Sequence, residues 1–448
     1  MCGVLRNKIF PVKKNTQIYK DDGRLALTIG NIKFRNNFVV ASGPTVKWKE
    51  QLILAEESGW AGASLKLAFE PEPYISLPPR YRWFKEQEYH AFTAEKRLSF
   101  ERCLKLLEEG RNLTRELILF ANITYVGDKP GTTGWEDMAR AAESAGAHII
   151  ELNMCCPNMS FNVALSEAAR TEQTGASMGQ NAAVVSTIAA AVKKAVKIPV
   201  FVKITPEGGR IAEVAKACFD KGIPCVASVA NRLAIAEFDI ENVNQGPYRL
   251  QDEPTLACFS GPWIKPLALR DVYEIRKKAG VTPFILGTGG IASAKDAIQF
   301  IMCGADLIGV CTETMLRGFD FLPKWLRQMQ EFMARHGFKN YRDFRDLAVP
   351  KFASADKLTL HEGYAEVDLS KCNGCGLCEK IGHCNAISVV NKKSQIAREK
   401  CLACSTCVDV CPQGAISMVN TGKIKDITAR FARGTEDAEK EKSLRTQR

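Results

Sequence analysis

Cys372-Asn-Gly-Cys375-Gly-Leu-Cys378, trailed by Cys384, and Cys401-Leu-Ala-Cys404-Ser-Thr-Cys407, trailed by Cys411-Pro412, hold eight of the chain's 17 cysteines. A structural zinc site uses two C-x2-C pairs and has no place for a third cysteine at the next step. Disulfides suit small secreted domains, and the start Met1-Cys-Gly-Val-Leu-Arg-Asn-Lys8 lacks the apolar stretch of a secretory leader. Two runs of this spacing are the ligand sets of two 4Fe–4S clusters, the fourth cysteine of each run serving the other run's cluster. The spacing therefore assigns Cys372, Cys375, Cys378 and Cys411 to one cluster, and Cys401, Cys404, Cys407 and Cys384 to the other. The first run closes with five intervening residues, Glu379 to His383, rather than three, and Asn385 stands where proline is common. A wider loop is expected there, with His383 beside it, either tuning the cluster or simply exposed.

Working outward, 448 residues leave room for two or three domains. A hydrophobic share of 46% and a charged share of 25% are those of an ordinary globular protein. No apolar run reaches the length of a membrane helix, so a cytoplasmic chain with no membrane partner is expected. The net charge of +11 is scattered rather than gathered into a stripe, which argues against nucleic acid. It suits a solvated surface or attraction to an acidic redox partner or anionic substrate.

Residues 1–37 read as polar and irregular. From Phe38, short β-rich runs alternate with helical periodicity. The expected strands are Phe38–Ser42, Ala63–Leu67, Leu117–Thr124, His148–Asn153, Val200–Ile204, Cys225–Ala230, Phe284–Gly287 and Leu307–Cys311. Helices are expected between them, among them Trp48–Ser58, Ala182–Val196, Glu207–Lys221 and Ala292–Cys303. Eight β–α units in about 300 residues is the count of a (β/α)8 TIM barrel. A doubly wound sheet would alternate in the same way. The barrel is favoured because the unusual residues follow the strands, where a barrel keeps its active site.

Those residues are specific. Ala41-Ser42-Gly43-Pro44 follows the first strand, a turn small enough for a flat ring to approach. Lys66 and Lys203 sit in otherwise apolar runs. One lysine could reach solvent from a packed stem, but two at matching places favour a bound anion or electron-rich cofactor. Leu286-Gly287-Thr288-Gly289-Gly290 and Gly309-Val310-Cys311-Thr312 occupy the places where barrels bind phosphate. Glu151-Leu-Asn153-Met-Cys155-Cys156-Pro157-Asn158 joins an amide to a thiol that is protonated at neutral pH and can serve as an acid. Cys218, Cys225 and Cys303 read instead as small buried hydrophobes.

Together these motifs resemble the FMN barrel of the dihydroorotate and dihydropyrimidine dehydrogenases over about residues 30–330. Met178-Gly179-Gln180, Val202-Lys203-Ile-Thr-Pro206, Ser260-Gly261 and Pro266-Leu-Ala-Leu-Arg270 add to the resemblance. The two cysteine runs narrow it to the dihydropyrimidine dehydrogenase branch. It implies FMN contacts from Ala41, Ser42, Lys66, Asn122, Asn153, Lys203 and Asn231. It further implies that Gly261, Gly289, Gly290, Cys311 and Thr312 hold the ribityl chain and phosphate. Cys156 would be the general acid/base, with hydride transfer at flavin N5. Substrate contacts would fall on Thr93, Asn153, Ala230 and Asn231. The implied reaction reduces or forms a C=C bond conjugated to a carbonyl.

Three departures touch the substrate. Thr93 stands where the family has an asparagine, and Val229-Ala230-Asn231 replaces a Thr-Asn-Thr stretch. The loop from Pro157 to Ser177 is longer than the family's. A site lacking two ring-gripping amides would leave a pyrimidine's polar groups unpaired. A non-pyrimidine substrate, an anionic or cyclic enone, is the alternative. Residues 69–92, with Tyr74, Arg80, Tyr81, Arg82, Trp83 and Phe84, could hold such a flat or anionic molecule or pack as an ordinary loop. Residues 231–260 are equally mute.

The expected domains are a catalytic barrel over 1–345, a linker over 346–364, a small α+β ferredoxin-like two-cluster domain over 365–420 and a charged tail over 421–448. No G-x-G-x-x-G follows a predicted strand. Electrons are therefore expected from a separate NAD(P)H-flavin subunit or a ferredoxin, within an oligomer. The competing reading is an electron-transfer subunit that turns over no small molecule.

Overall fold

The computed structural model describes residues 22–72, 76–156, 175–229, 231–242, 244–253, 256–381 and 383–425. Ala230, Tyr74, residues 157–174 of the long loop and tail residues 426–448 lie outside them. The contacts divide the chain into two units, Met1–Lys351 and Phe352–Arg448. Among the described residues no helix is long and apolar enough to cross a membrane.

The first unit is built on eight strands: β1 (Phe38–Val40), β2 (Gly62–Ser64), β3 (Ile118–Tyr125), β4 (Ile149–Met154), β5 (Val200–Ile204), β6 (Cys225–Val229), β7 (Phe284–Thr288) and β8 (Leu307–Val310). Each pairs in parallel with the next, and β8 pairs back onto β1, closing a (β/α)8 barrel. The strands are short, apolar and almost wholly buried, as parallel strands enclosed by helices must be. Eight helices follow them: α1 (Lys49–Glu57), α2 (Phe100–Leu113), α3 (Thr133–Ser144), α4 (Ala182–Ala195), α5 (Ile211–Asp220), α6 (Lys265–Ala279), α7 (Ala294–Met302) and α8 (Leu322–His336). Their starts are chemically marked. The Asn181 side chain accepts from the N–H groups of Ala183 and Val184 at the head of α4, and Ser293 does the same from Asp296 for α7. Lys193 and Lys194 sit in the last turn of α4, where cations suit the helix dipole.

Four features depart from the sequence reading. Residues 27–29 and 32–34 form a hairpin beneath the barrel, within a stretch read as irregular. Strand β2 ends at Ser64, so Lys66 lies two residues beyond it rather than within it. The stretches 69–92 and 231–260 each contribute strands. Residues 80–84, 89–94, 257–260 and 232–234 pair into a four-stranded antiparallel sheet. A stack of Phe84, Tyr89 and Phe259, with ring centroids 4.4 and 4.7 Å apart, forms its own small core. These strands come from distant loops, and such pairing leaves little periodic signature within any one stretch.

The segment after α8, inside the expected barrel span of 1–345, packs onto the barrel. Tyr341 and Phe344 are fully buried, and Asp306, just before β8, is enclosed by cations. Its carboxylate accepts from Arg276 at 2.8 Å, from Arg345 at 2.6 Å and from the Tyr341 hydroxyl at 3.3 Å. The second unit begins before residue 365. Leu360–Val367, largely inside the stretch read as a linker, pairs antiparallel with Ile416–Lys425. A hairpin of 387–390 with 393–396 and a short helix, Thr406–Asp409, complete it. This is a ferredoxin-like α+β module whose core contains Ala365, Cys378, Cys407 and Ile416.

Removing one member of a fully buried ion cluster strands the others. Asp306→Asn should destabilise the barrel unit by about 3–5 kcal/mol. All six tryptophans precede residue 352, so their fluorescence in urea titrations of the full chain reads that unit alone. A loss under about 1 kcal/mol would show that the clamp contributes little.

Candidate active site

At the C-terminal ends of the strands lies a cavity of about 830 Å3, counting its open mouth. Strand β1 and its turn contribute Ala41, Ser42, Gly43 and Pro44, β4 contributes Asn153, and β5 contributes Lys203. Cys155 and Cys156 follow β4, Asn231 follows β6, Thr288 ends β7 and Cys311 follows β8. The antiparallel sheet supplies the remaining wall. Along 89–94 side chains alternate, so His90 and Phe92 face the cavity while Tyr89 and Ala91 pack into the sheet's own core.

That alternation takes Thr93 the other way. It does not line the cavity, and its hydroxyl donates to Gln251 Oε1 at 2.7 Å. Asn122 is also absent from the lining. It stands behind Asn153, accepting from its amide at 2.9 Å and donating to Glu151. Gly261, Gly289, Gly290 and Thr312 lie off the lining too. Gly290 has φ 71°, and a Cβ there would come within 2.7 Å of the Lys265 nitrogen, so only glycine fits this approach. Thr312 and Ser260 hydroxyls lie 3.1 Å apart. Ala230 is outside the described residues.

Each of the two lysines has a carboxylate near it. Lys203 is 8% exposed and has no hydrogen-bond partner among the described residues. Burial would lower its pKa, but the Glu151 carboxylate together with Cys155, Cys311 and Cys156 reverses this and keeps it above the ordinary value. Glu151 is itself buried and accepts from Ser64 at 2.5 Å and from Asn122. Lys66 lies 3.2 Å from Glu95, whose other oxygen meets Lys47 at 3.2 Å. The Tyr81 hydroxyl also donates to Glu95. Burial alone would raise the Glu95 carboxyl; Lys66, Tyr81 and Lys47 reverse this and hold it low.

Cys155 and Cys156 differ. Cys155 is buried, its thiol 3.3 Å from Asn153 Oδ1, and burial pushes it up to about 12. Cys156 lines the cavity half-buried, its sulfur 3.6 Å from the Arg97 guanidinium. Arg97 is 3% exposed, donates to the Glu95 carbonyl at 3.1 Å and lies over the Phe69 ring. His90 stacks on Tyr81, burial lowers its pKa to about 4, and its Nδ1 lacks a partner among the described residues. Sequence reasoning missed Glu95, Arg97 and His90. The only hint was the charged triplet Glu95-Lys96-Arg97 directly after an alternating run.

In the second unit the eight cysteines gather as the spacing requires. Cys372, Cys375, Cys378 and Cys411 line one cavity, and Cys384, Cys401, Cys404 and Cys407 line another, with His383 exposed beside it. Among the described residues no three such groups are close enough to hold a single metal ion. Four thiols around a wider space suit a cluster rather than zinc. Gly374, φ 71°, lets the first run fold tightly, because a Cβ there would meet the Lys392 carbonyl oxygen at 2.2 Å.

Residues 103–333 match the dihydroorotate dehydrogenase family, and residues 395–417 match the 4Fe–4S binding domain. The chain belongs to the dihydroorotate dehydrogenase family; it is an FMN-type oxidoreductase that carries an iron–sulfur domain. Among its relatives is the NAD-dependent dihydropyrimidine dehydrogenase subunit PreA of Escherichia coli K12, 28% identical over 79% of this chain and 84% of that protein. The chloroplastic dihydropyrimidine dehydrogenase (NADP(+)) of Arabidopsis thaliana is 24% identical over 74% of this chain and 78% of its own length. The catalytic subunit of dihydroorotate dehydrogenase B (NAD(+)) from Thermococcus kodakarensis is 27% identical over 73% of this chain and 98% of its own.

A carboxyl held low in the fold contributes stability above its unfolded pKa, about 4.3, and loses it as pH falls through the lower folded value. Glu95→Gln should therefore lower the melting temperature fully at pH 7, with the gap to wild type closing only below about pH 4. Tryptophan fluorescence melts measure this. A gap that stays constant down to pH 3 would show that the charge of Glu95 is not what matters.

Proposed function

We propose that the barrel binds FMN in this cavity and reduces or forms a C=C bond conjugated to a carbonyl, on an anionic substrate rather than a pyrimidine. The residues present fit the cofactor. Lys203 is a buried ammonium with no hydrogen-bond partner among the described residues, facing the space where a flat, electron-rich ring would lie. Lys66 and Asn153 add donors, and the Ala41–Pro44 turn and Cys311 supply close-packed walls. Asn122 acts through Asn153, by fixing its amide. Gly261, Gly289, Gly290 and Thr312 would serve the ribityl chain and phosphate, and Asn231 the ring or substrate. When bound, FMN supplies the hydride at N5, and the iron–sulfur clusters supply electrons.

Cys156 gives or takes the proton at the substrate carbon beside the carbonyl. Its half-buried thiol borders the cavity, whereas Cys155 is turned toward Asn153 and held protonated by burial. Charge complementarity supports the substrate class. Lys66, Arg97 and Lys203 line the cavity against a single carboxylate, Glu95. A carboxylate next to Arg97 would place its neighbouring double bond near the Cys156 sulfur, 3.6 Å away. The observation that carries the reading is this meeting of a buried ammonium, a cavity-lining thiol and a guanidinium in one site.

The two four-cysteine sets would each hold one 4Fe–4S cluster. We see no dinucleotide motif in the sequence, so reducing equivalents would arrive from an NAD(P)H-oxidising flavin subunit or a ferredoxin.

Protein isolated anaerobically should hold about one FMN and about eight iron atoms per chain. Anionic enones should reoxidise the reduced flavin, and uracil, thymine and dihydroorotate should not. Rapid reoxidation by uracil would overturn the substrate reading, and absence of FMN the whole proposal. Cys156→Ser should keep its flavin yet lose turnover by about 10²-fold or more. Arg97→Gln should raise KM for an anionic enone about tenfold or more, with flavin content unchanged. An unaltered KM would remove Arg97 from substrate reading.

A further inference from the structure

We propose that Ser394 makes the cluster of Cys372, Cys375, Cys378 and Cys411 the more easily reduced of the two, so the first electron entering the module rests there. The inference rests on the two-cluster reading above. Ser394 lies on the hairpin strand 393–396 and is 3% exposed. Its hydroxyl oxygen is 3.2 Å from Cys378 Sγ and 3.7 Å from Cys372 Sγ, and its backbone N–H donates to Cys372 Sγ at 3.4 Å. A cysteine bound to iron carries no proton, so in these contacts the serine hydroxyl is the donor. Uptake of one electron makes the cluster and its sulfurs more negative, with no bond formed or broken and no proton moved. A buried donor on those sulfurs therefore favours the reduced form and raises the potential.

Among the described residues the other set has no buried side-chain donor of this kind. Ala415 donates to Cys411 at 3.3 Å in the first set and Ala365 to Cys401 at 3.4 Å in the second, and these offset one another. The second set's side-chain donor is the Thr406 hydroxyl, 3.5 Å from Cys404 Sγ, beside the Thr406 backbone N–H. Cys404 is exposed, so water competes for that contact. Lys393 adds positive charge to the Ser394 side, donating to the carbonyls of Leu369 and Cys372 at 2.8 and 2.5 Å.

The test is a reductive titration of the full-length holoprotein, with a low-potential one-electron donor and mediators, followed by electron paramagnetic resonance. Wild type should show two couples. Ser394→Ala should lower the reduced-to-oxidised ratio of the more easily reduced cluster about tenfold at fixed potential, ~59 mV for a one-electron couple, leaving the other in place. Ser394→Thr and Ser394→Val have nearly the same shape, so they test the hydroxyl if the alanine chain loads poorly. Threonine should retain the wild-type couple and valine should show the shift. Four iron atoms per wild-type chain would overturn the two-cluster reading itself. Eight iron atoms with couples that do not move, or that move together, would overturn the role of Ser394 alone.

Discussion

Two lysines border one cavity, and burying an ammonium group there demands a nearby carboxylate. The barrel solves this with carboxylates placed on the far side of each lysine. Glu151, on β4, counters Lys203 on β5; the two strands are in register, with Asn153 opposite Lys203. Glu95 counters Lys66 and Lys47 from beyond the end of strand 89–94. An ammonium without such a partner would lose its proton and with it the ability to hold an anionic edge. Much of the site follows from this requirement. Ser64 and Asn122 are where they are because a buried carboxylate needs donors, and Asn122 in turn fixes Asn153.

The barrel was legible because its strands are local. Each is a short run of β-branched and apolar residues, and parallel strands buried on both faces leave an uninterrupted apolar signal. The residues following β1, β4, β5, β7 and β8 stood out because polar groups and glycines break that signal. The antiparallel sheet was not legible for the opposite reason. Its two halves lie 168 residues apart in sequence at the pairing of Phe259 with Ala91, and no local pattern encodes such a pairing. Glu95, Arg97 and His90 were missed with it, since their places follow from the sheet. Thr93 was misplaced through strand parity, because a residue on one face cannot serve the other.

The iron–sulfur module shows the reverse balance. Its cysteine partition follows from spacing alone, and the fold brings the same two sets of four together. A small module has too little apolar surface for a strong core, so its ligands act as core as well, with Cys378 and Cys407 packed beside Ala365 and Ile416. The boundary was harder to see. Leu360–Val367 is half polar and largely exposed, and only its pairing with 416–425 makes it a strand. Tyr341 and Phe344, inside the expected barrel span, are held to it by packing and the Asp306 clamp.

Electrostatics and shape point the same way on what the altered cavity accepts. The wall that the antiparallel sheet lends to the cavity is made of Tyr81, His90 and Phe92, while Thr93 faces the other side. That wall is aromatic and poor in matched donors and acceptors, so it suits a flat apolar face better than the polar edge of a pyrimidine ring. Arg97 also acts on Glu95, helping Lys66, Tyr81 and Lys47 hold its carboxyl low against burial, and its guanidinium lies 3.6 Å from the Cys156 sulfur. On the proposed function an anion would sit against this basic side of the cavity. On the proposed function, carboxylates behind lysines would order the cofactor half of the cavity, and the arginine beside Cys156 the substrate half.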